Sequence, residues 1–141
     1  MSKSSEADPN ANRAAAEALY AAFAETDAEA LLAILAPDFR GVVSAGMPAG
    51  LGGIYEGPEQ MLRDCWAQVF AKLDTRPLAE EYLATAGGER MVVLGHYRGQ
   101  ARESGRPHEA SFAHVLRFED GRIVELIQIT DTQRWHEALA A

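Results

Sequence analysis

Two β-rich runs, Ser111–Phe118 and Ile123–Thr130, meet at Asp120-Gly121, and this junction constrains the fold more than any other stretch of the chain. Asp-Gly readily takes the positive φ angles of a two-residue primed turn, whose twist matches that of the strands it joins. The segment therefore reads as a β-hairpin. Its first arm carries His114 among Phe112, Leu116 and Phe118. A polar side chain on an apolar strand face needs a partner: a backbone carbonyl in a plain core, or chemistry in a pocket.

Upstream, β-like runs cover Glu80–Ala86, Arg90–Glu103 and His108–Phe118, separated by Gly87-Gly88 and by Ser104-Gly105-Arg106-Pro107. Together with the final run they predict an antiparallel meander. The N-terminal half reads differently. Ala16, Leu19, Tyr20 and Phe23 recur at spacings of three and four, which puts them on one face of a first helix starting at Ala11. Asp27 is placed to cap a short second helix that carries Leu31, Ile34 and Leu35 and ends before Pro37. Asp38–Ser44 reads as a strand, and Ala45–Gly57, with five glycines, as a loop long enough to form a rim or lid at the pocket entrance. Gly57-Pro58-Glu59 opens a third helix whose buried stripe runs from Met61 through Cys65, Trp66 and Val69 to Leu73. Asp131 is placed to cap a terminal helix.

With 141 residues, 48% of them apolar, the chain is sized for one domain, expected over 11–141 behind a frayed tail at 1–10. Twenty-one acidic against thirteen basic residues give a net charge of −8, which repels nucleic acid and anionic membranes. No apolar stretch approaches the roughly 20 residues of a membrane span, and the N-terminus lacks the apolar core of a signal peptide, so a cytoplasmic protein is expected. One cysteine, Cys65, excludes an intrachain disulfide and reads as a buried filler. The four histidines lack close ligand spacing and no phosphate-cradling glycine loop is present, so neither metal nor cofactor is expected.

Helices first and consecutive hairpin strands last is an α+β order. It resembles the nuclear transport factor two-like superfamily, in its SnoaL-like, ketosteroid-isomerase-related branch. The residues that carry the resemblance are Tyr20–Asp27 with Leu31–Leu35, Tyr55–Pro58, Val92–Gly99, Phe112–Val115, and Asp120–Val124 leading to Thr130–Thr132. The resemblance implies a cone-shaped α+β barrel, cystatin-like, in which a curved antiparallel sheet wraps around three helices with a short C-terminal helix. It also implies a blind apolar pocket lined by alternate strand residues. Phe112, His114 and Leu116 would face inward, as would Leu94, His96 and Arg98, and Leu126, Gln128 and Thr130.

Set against the isomerase pattern, the position of the carboxylate base falls on Val43 and that of the proton-donating aspartic acid on His114. Leu19 is in register with the helix-one tyrosine and Tyr20 lies beside it. The aspartate of SnoaL-like cyclases falls on Gln128. The resemblance thus implies a cofactor-independent enzyme acting on a small, mostly apolar carbonyl or polyketide-like compound, by isomerisation, cyclisation or dehydration. His114 and His96 are its candidate acid–base groups. Gln128, Arg98, Trp66, Tyr20, Thr130, Leu94, Leu126, Val43 and Phe112 are the candidate substrate contacts. The alternative is a non-catalytic protein that binds a hydrophobic ligand or serves as a dimeric scaffold. His108 and His136 read as exposed. A homodimer is expected through the outer sheet face, with Tyr97, Val115, Ile127 and Ile129.

Overall fold

The computed structural model describes residues 8–140. Helix α1 (Pro9–Glu25) starts two residues before Ala11, because the Asp8 carboxylate accepts the backbone N–H groups of Asn10 and Ala11 at 3.0 and 3.2 Å and Pro9 has no N–H to satisfy. Residues 1–7 of the expected tail lie outside the described residues. Thr26, in the left-handed region, ends α1, and Asp27 caps α2 (Ala28–Ile34) through the Ala30 N–H. β1 (Leu35–Val43) follows at once.

The glycine-rich segment after β1 is not all loop. Gly53–Glu56 forms a short strand, β2, antiparallel to β1, with Gly41 opposite Tyr55. The long helix α3 runs through Pro58–Gln60, a π-helical turn at Met61–Trp66, and Ala67–Lys72. Leu73 belongs to the next strand, β3 (Leu73–Ala84), which starts well before the expected Glu80. β4 (Arg90–Ala101), β5 (Pro107–Glu119) and β6 (Arg122–Thr130) complete the meander, and α4 (Thr132–Leu139) closes the chain. At the β5–β6 turn both Asp120 and Gly121 have positive φ, 52° and 76°, as the primed turn requires.

The six strands lie in the order β2-β1-β6-β5-β4-β3. All pairs are antiparallel except β1 with β6, which is parallel because α3 carries the chain from β2 at one edge of the sheet across to β3 at the other. Register shifts at Ala79/Glu81 and Arg117/Phe118 add local twist, and the sheet curves around the helices without closing. This is the expected α+β cone. Its concave side packs on α1 and α3 through residues with almost no exposure, among them Leu19, Phe39, Met61, Val93, Leu116 and Ile123.

The convex side is different. Cross-strand partners Leu83, Val92, Val115, Ile127, Val42 and Ile54 form one apolar row over the whole sheet. Ile129 beside it is 56% exposed. Among the described residues no helix is long and apolar enough to cross a membrane.

Candidate active site

Residues directly opposite on antiparallel strands share a face, so β5 decides what β4 shows to the interior. On β5 the buried set is His108, Ala110, Phe112, His114, Leu116 and Phe118. Opposite them on β4 stand Tyr97 with Ala110, Gly95 with Phe112, Val93 with His114 and Met91 with Leu116. The inward residues of β4 are therefore Met91, Val93, Gly95 and Tyr97. Leu94, His96 and Arg98 point to the convex face, one residue out of the expected register, and none lies in the cavity. His96 Nδ1 sits 3.1 Å from both carboxylate oxygens of Glu80, and the Arg98 guanidinium donates to Glu109 at 2.9 Å. Tyr97, expected on the outside, is buried.

Between the sheet and α3 lies a cavity of about 220 Å³. Five of the expected residues line it: Val43, Trp66, His114, Leu126 and Gln128. Trp66 is held edge-on against Phe23, with ring centroids 4.9 Å apart. Tyr20 and Phe112 stand behind the wall and bear on His114. Thr130 is outside the cavity, since its hydroxyl donates to the Ser111 carbonyl at 2.8 Å and accepts the Trp135 indole N–H at 3.0 Å. It ties α4 to the sheet instead of meeting a ligand. Asp131 occupies the cap position of α4, but its side chain makes no capping bond there.

The glycine-rich loop supplies part of the wall: Met47 and Leu51 are buried, Met47 lines the cavity, and the Tyr55 hydroxyl donates to the Leu51 carbonyl at 2.7 Å. At the other end, exposed Thr26 and Ala28 border the cavity with Arg76, whose guanidinium donates to the Thr26 hydroxyl. Cys65 is also in the wall; burial pushes its thiol up to about 12, so it stays protonated and acts as the expected filler.

One polar knot interrupts this apolar surface. The Tyr20 hydroxyl lies 2.7 Å from His114 Nδ1, and the Tyr97 hydroxyl 2.8 Å from His114 Nε2. Gln128 Nε2 donates to the Tyr97 oxygen at 3.1 Å. Gln128 is itself held at the β1 end, where its Oε1 accepts the Ser44 backbone N–H at 3.2 Å and its carbonyl accepts the Ser44 hydroxyl at 2.8 Å. The Phe112 ring stacks on the imidazole, 4.0 Å between centroids and 16° from parallel. Burial pushes His114 down to about 3 and holds both tyrosines well above the usual phenol range. The knot is thus uncharged at neutral pH, and among the described residues no carboxylate lines the cavity.

A second histidine was misplaced by sequence reasoning. His108, expected at the surface, is 2% exposed: it packs against Trp135, centroids 4.3 Å apart, and its Nδ1 lies 2.8 Å from the Thr75 hydroxyl. Burial pushes it down to about 4, and its Nε2 has no hydrogen-bond partner among the described residues. The signal was parity, because His108 stands an even number of residues from His114 and so shares its face. His136 is exposed as expected. Among the described residues no three metal-ligating side chains cluster.

Comparison with known proteins places this geometry. The SnoaL-like domain family matches residues 16–126. An NTF2-like protein of unknown function from Burkholderia pseudomallei is 34% identical, over 93% of this chain and 98% of that one, with a TM-score of 0.84. TerC, co-crystallised with polyporic acid, is 29% identical over 93% of this chain and 99% of its own, with a TM-score of 0.83. A putative SnoaL-like polyketide cyclase from a Jannaschia species shares the fold at 18% identity, covering 94% of this chain and 93% of that one, with a TM-score of 0.79. A search of curated proteins finds no match.

Proposed function

The chain belongs to the SnoaL-like domain family, and from that premise we propose that it is a cofactor-independent enzyme of isomerase or cyclase type, acting on a small, mostly apolar carbonyl or polyketide-like compound. The observation that carries this reading is the uncharged Tyr20–His114–Tyr97–Gln128 array set into an apolar cavity wall. Preorganised donors in a water-poor site stabilise the negative charge that develops on oxygen when a carbonyl compound enolises or cyclises. That TerC, 29% identical to this chain, was co-crystallised with polyporic acid supports an organic small-molecule ligand for this chain too.

In this reading His114 is a held, neutral group and not the free acid–base group of the resemblance. Both of its nitrogens meet tyrosine hydroxyls and its imidazole is neutral far below pH 7. The reaction supported best is therefore one whose substrate carries an acidic C–H of its own, as a 1,3-dicarbonyl does: that proton passes to solvent water, and the protein stabilises the enolate left behind instead of supplying a strong base. The working form in this reading is a cytoplasmic homodimer joined through the apolar row of the convex face.

The test is exchange of the acidic C–H. Incubated in deuterium oxide with a panel of cyclic 1,3-diketones and aryl ketones, the parent protein is expected to speed deuterium uptake above the buffer rate, followed by proton NMR. A cavity wall with no carboxylate among the described residues favours a second reading, ligand binding without turnover. Binding of panel members without faster exchange would establish that second reading instead.

A further inference from the structure

The hydrogen positions in the polar knot follow from a count of donors. The Ser44 backbone N–H is a donor without ambiguity, so the Gln128 atom it meets is the amide oxygen, and Gln128 Nε2 must donate to Tyr97. At the other end, the buried Tyr20 hydroxyl has one partner among the described residues, His114 Nδ1. If Nδ1 carried the imidazole proton, the Tyr20 O–H proton would be buried with no acceptor among the described residues, which a native fold avoids. Tyr20 therefore donates to Nδ1, and the imidazole proton resides on Nε2. From there it points at the Tyr97 oxygen, 2.8 Å away. Tyr97 then accepts twice, from Gln128 and from His114, and its own proton is spent on neither.

Tyr97 lines the cavity. We infer that its hydroxyl proton is directed there and donates to the ligand, and that the ligand group met at this point is an acceptor only: a carbonyl or enolate oxygen, not an amine or alkylammonium. His114 is then a positioning residue that fixes the direction of the Tyr97 proton. The inference rests on the proposed reading in that the ligand is a carbonyl compound, but it requires no turnover. It also explains why a histidine is buried here at all. An aliphatic side chain at 114 would leave the Tyr20 proton unpaired and free the Tyr97 hydroxyl to rotate.

The test uses two probes of nearly equal shape, 1-tetralone and its hydrocarbon analogue tetralin, with protein labelled with ¹⁵N on histidine. In the free protein the ¹⁵N shifts of His114 are expected to show a protonated Nε2 and an accepting Nδ1; the opposite tautomer overturns the inference. The parent is expected to bind tetralone more tightly than tetralin by about tenfold, the scale of one desolvated hydrogen bond. Tyr97→Phe should erase that preference while leaving tetralin affinity within about twofold, and should raise the infrared carbonyl stretch of bound tetralone. A parent that does not prefer the ketone, or a Tyr97→Phe protein that keeps the preference, overturns the inference. Should Tyr97→Phe fail to fold, the tautomer and the carbonyl stretch in the parent decide the matter. Correct tautomer and ketone preference with no deuterium uptake would sink the enzymatic reading and leave this one standing.

Discussion

His114 on the concave face and His96 on the convex face are two histidines on neighbouring strands in opposite environments. The first is buried, both nitrogens bonded to neutral hydroxyls, under a stacked aromatic ring. The second stands partly in water against the Glu80 carboxylate, in a face where Arg98 meets Glu109 and Arg117 meets Glu119. A buried neutral network gains strength from its low dielectric and loses heavily when one member goes, whereas exposed ion pairs are screened and contribute little. The difference teaches where this molecule keeps its specificity: in hydrogen bonds that water cannot replace.

The hardest test of that contrast is His114→Asn. Asparagine is shorter than imidazole and cannot span two hydroxyls that approach its ring from opposite nitrogens, so at least one buried phenol loses its partner. Stability is expected to fall by about 2–4 kcal/mol, read as a lower urea midpoint at unchanged slope. An unchanged midpoint would show that the knot supports no part of the fold. A related prediction concerns the ring that stacks on His114. A Cβ on Gly95 would press on the Leu78 carbonyl and come within 2.8 Å of the Phe112 ring. Gly95→Ala is expected to cost about 1–3 kcal/mol through overpacking, and to shift the ring-proton resonances of Phe112.

Titration sharpens the comparison next. His114 and His108 are pushed down to about 3 and about 4 in the fold, against an ordinary value near 6.5 in the unfolded chain. Below pH 6.5 the unfolded chain binds protons that the folded protein refuses, so stability is complete above 6.5 and is lost as pH falls towards 4. Each histidine contributes a slope of roughly 1.4 kcal/mol per pH unit in that window. Thermal melts from pH 7 to 4.5 should show the decline, and His108→Phe should flatten it by about half. Melting temperatures independent of pH there would mean that neither imidazole is held neutral.

How far all this was legible varies by element. The β5–β6 hairpin was plain, because Asp120-Gly121 marks its turn and the alternation on β5 fixes its inward face, although the register shift at Arg117/Phe118 left no mark in the sequence. His114, Leu126 and Gln128 followed from it, whereas Val43 came from the resemblance to the isomerase pattern. The register of β4 was not plain: Met91-Val92-Val93-Leu94 is apolar on both faces, so alternation there is silent, and the isomerase pattern that put Leu94, His96 and Arg98 inward is one residue out of step with the strand. Only the pairing of Val93 with His114 across the strands settles it, and that is a tertiary fact. Tyr97 was lost with the same slip. β2 was hidden because its four residues sit in a glycine-rich segment and gain their pairing from β1. The Tyr20–His114 contact joins residues 94 positions apart, beyond the reach of any local pattern.

The convex face offers a smaller effect on the fold and a large one on assembly. Its apolar row crosses all six strands, and Ile129 and Ile54 at 56% and 51% exposure extend it into solvent. If two copies bury this row against each other, Ile127→Lys places a charge in the middle of the contact. Sedimentation is expected to show a dimer for the parent and a monomer for the variant at micromolar concentration, with the monomer's own stability changed by no more than about 0.5 kcal/mol. A parent that sediments as a monomer would remove the dimer from the proposal, without touching the cavity.

The smallest effect belongs to His96. Its ring lies against Glu80 with the side chain 37% exposed, and the partner carboxylate is half exposed. A pair in that setting is worth about 0–1 kcal/mol, because water competes for both groups and salt screens the attraction. His96→Ala is therefore expected to shift stability by less than about 0.5 kcal/mol, and that shift should shrink further in high salt. Tetralone affinity and any deuterium uptake should be the same as in the parent, since no atom of His96 borders the cavity. A loss of either would mean that the convex face couples to the concave one through the sheet, and the division between the two faces would have to be given up.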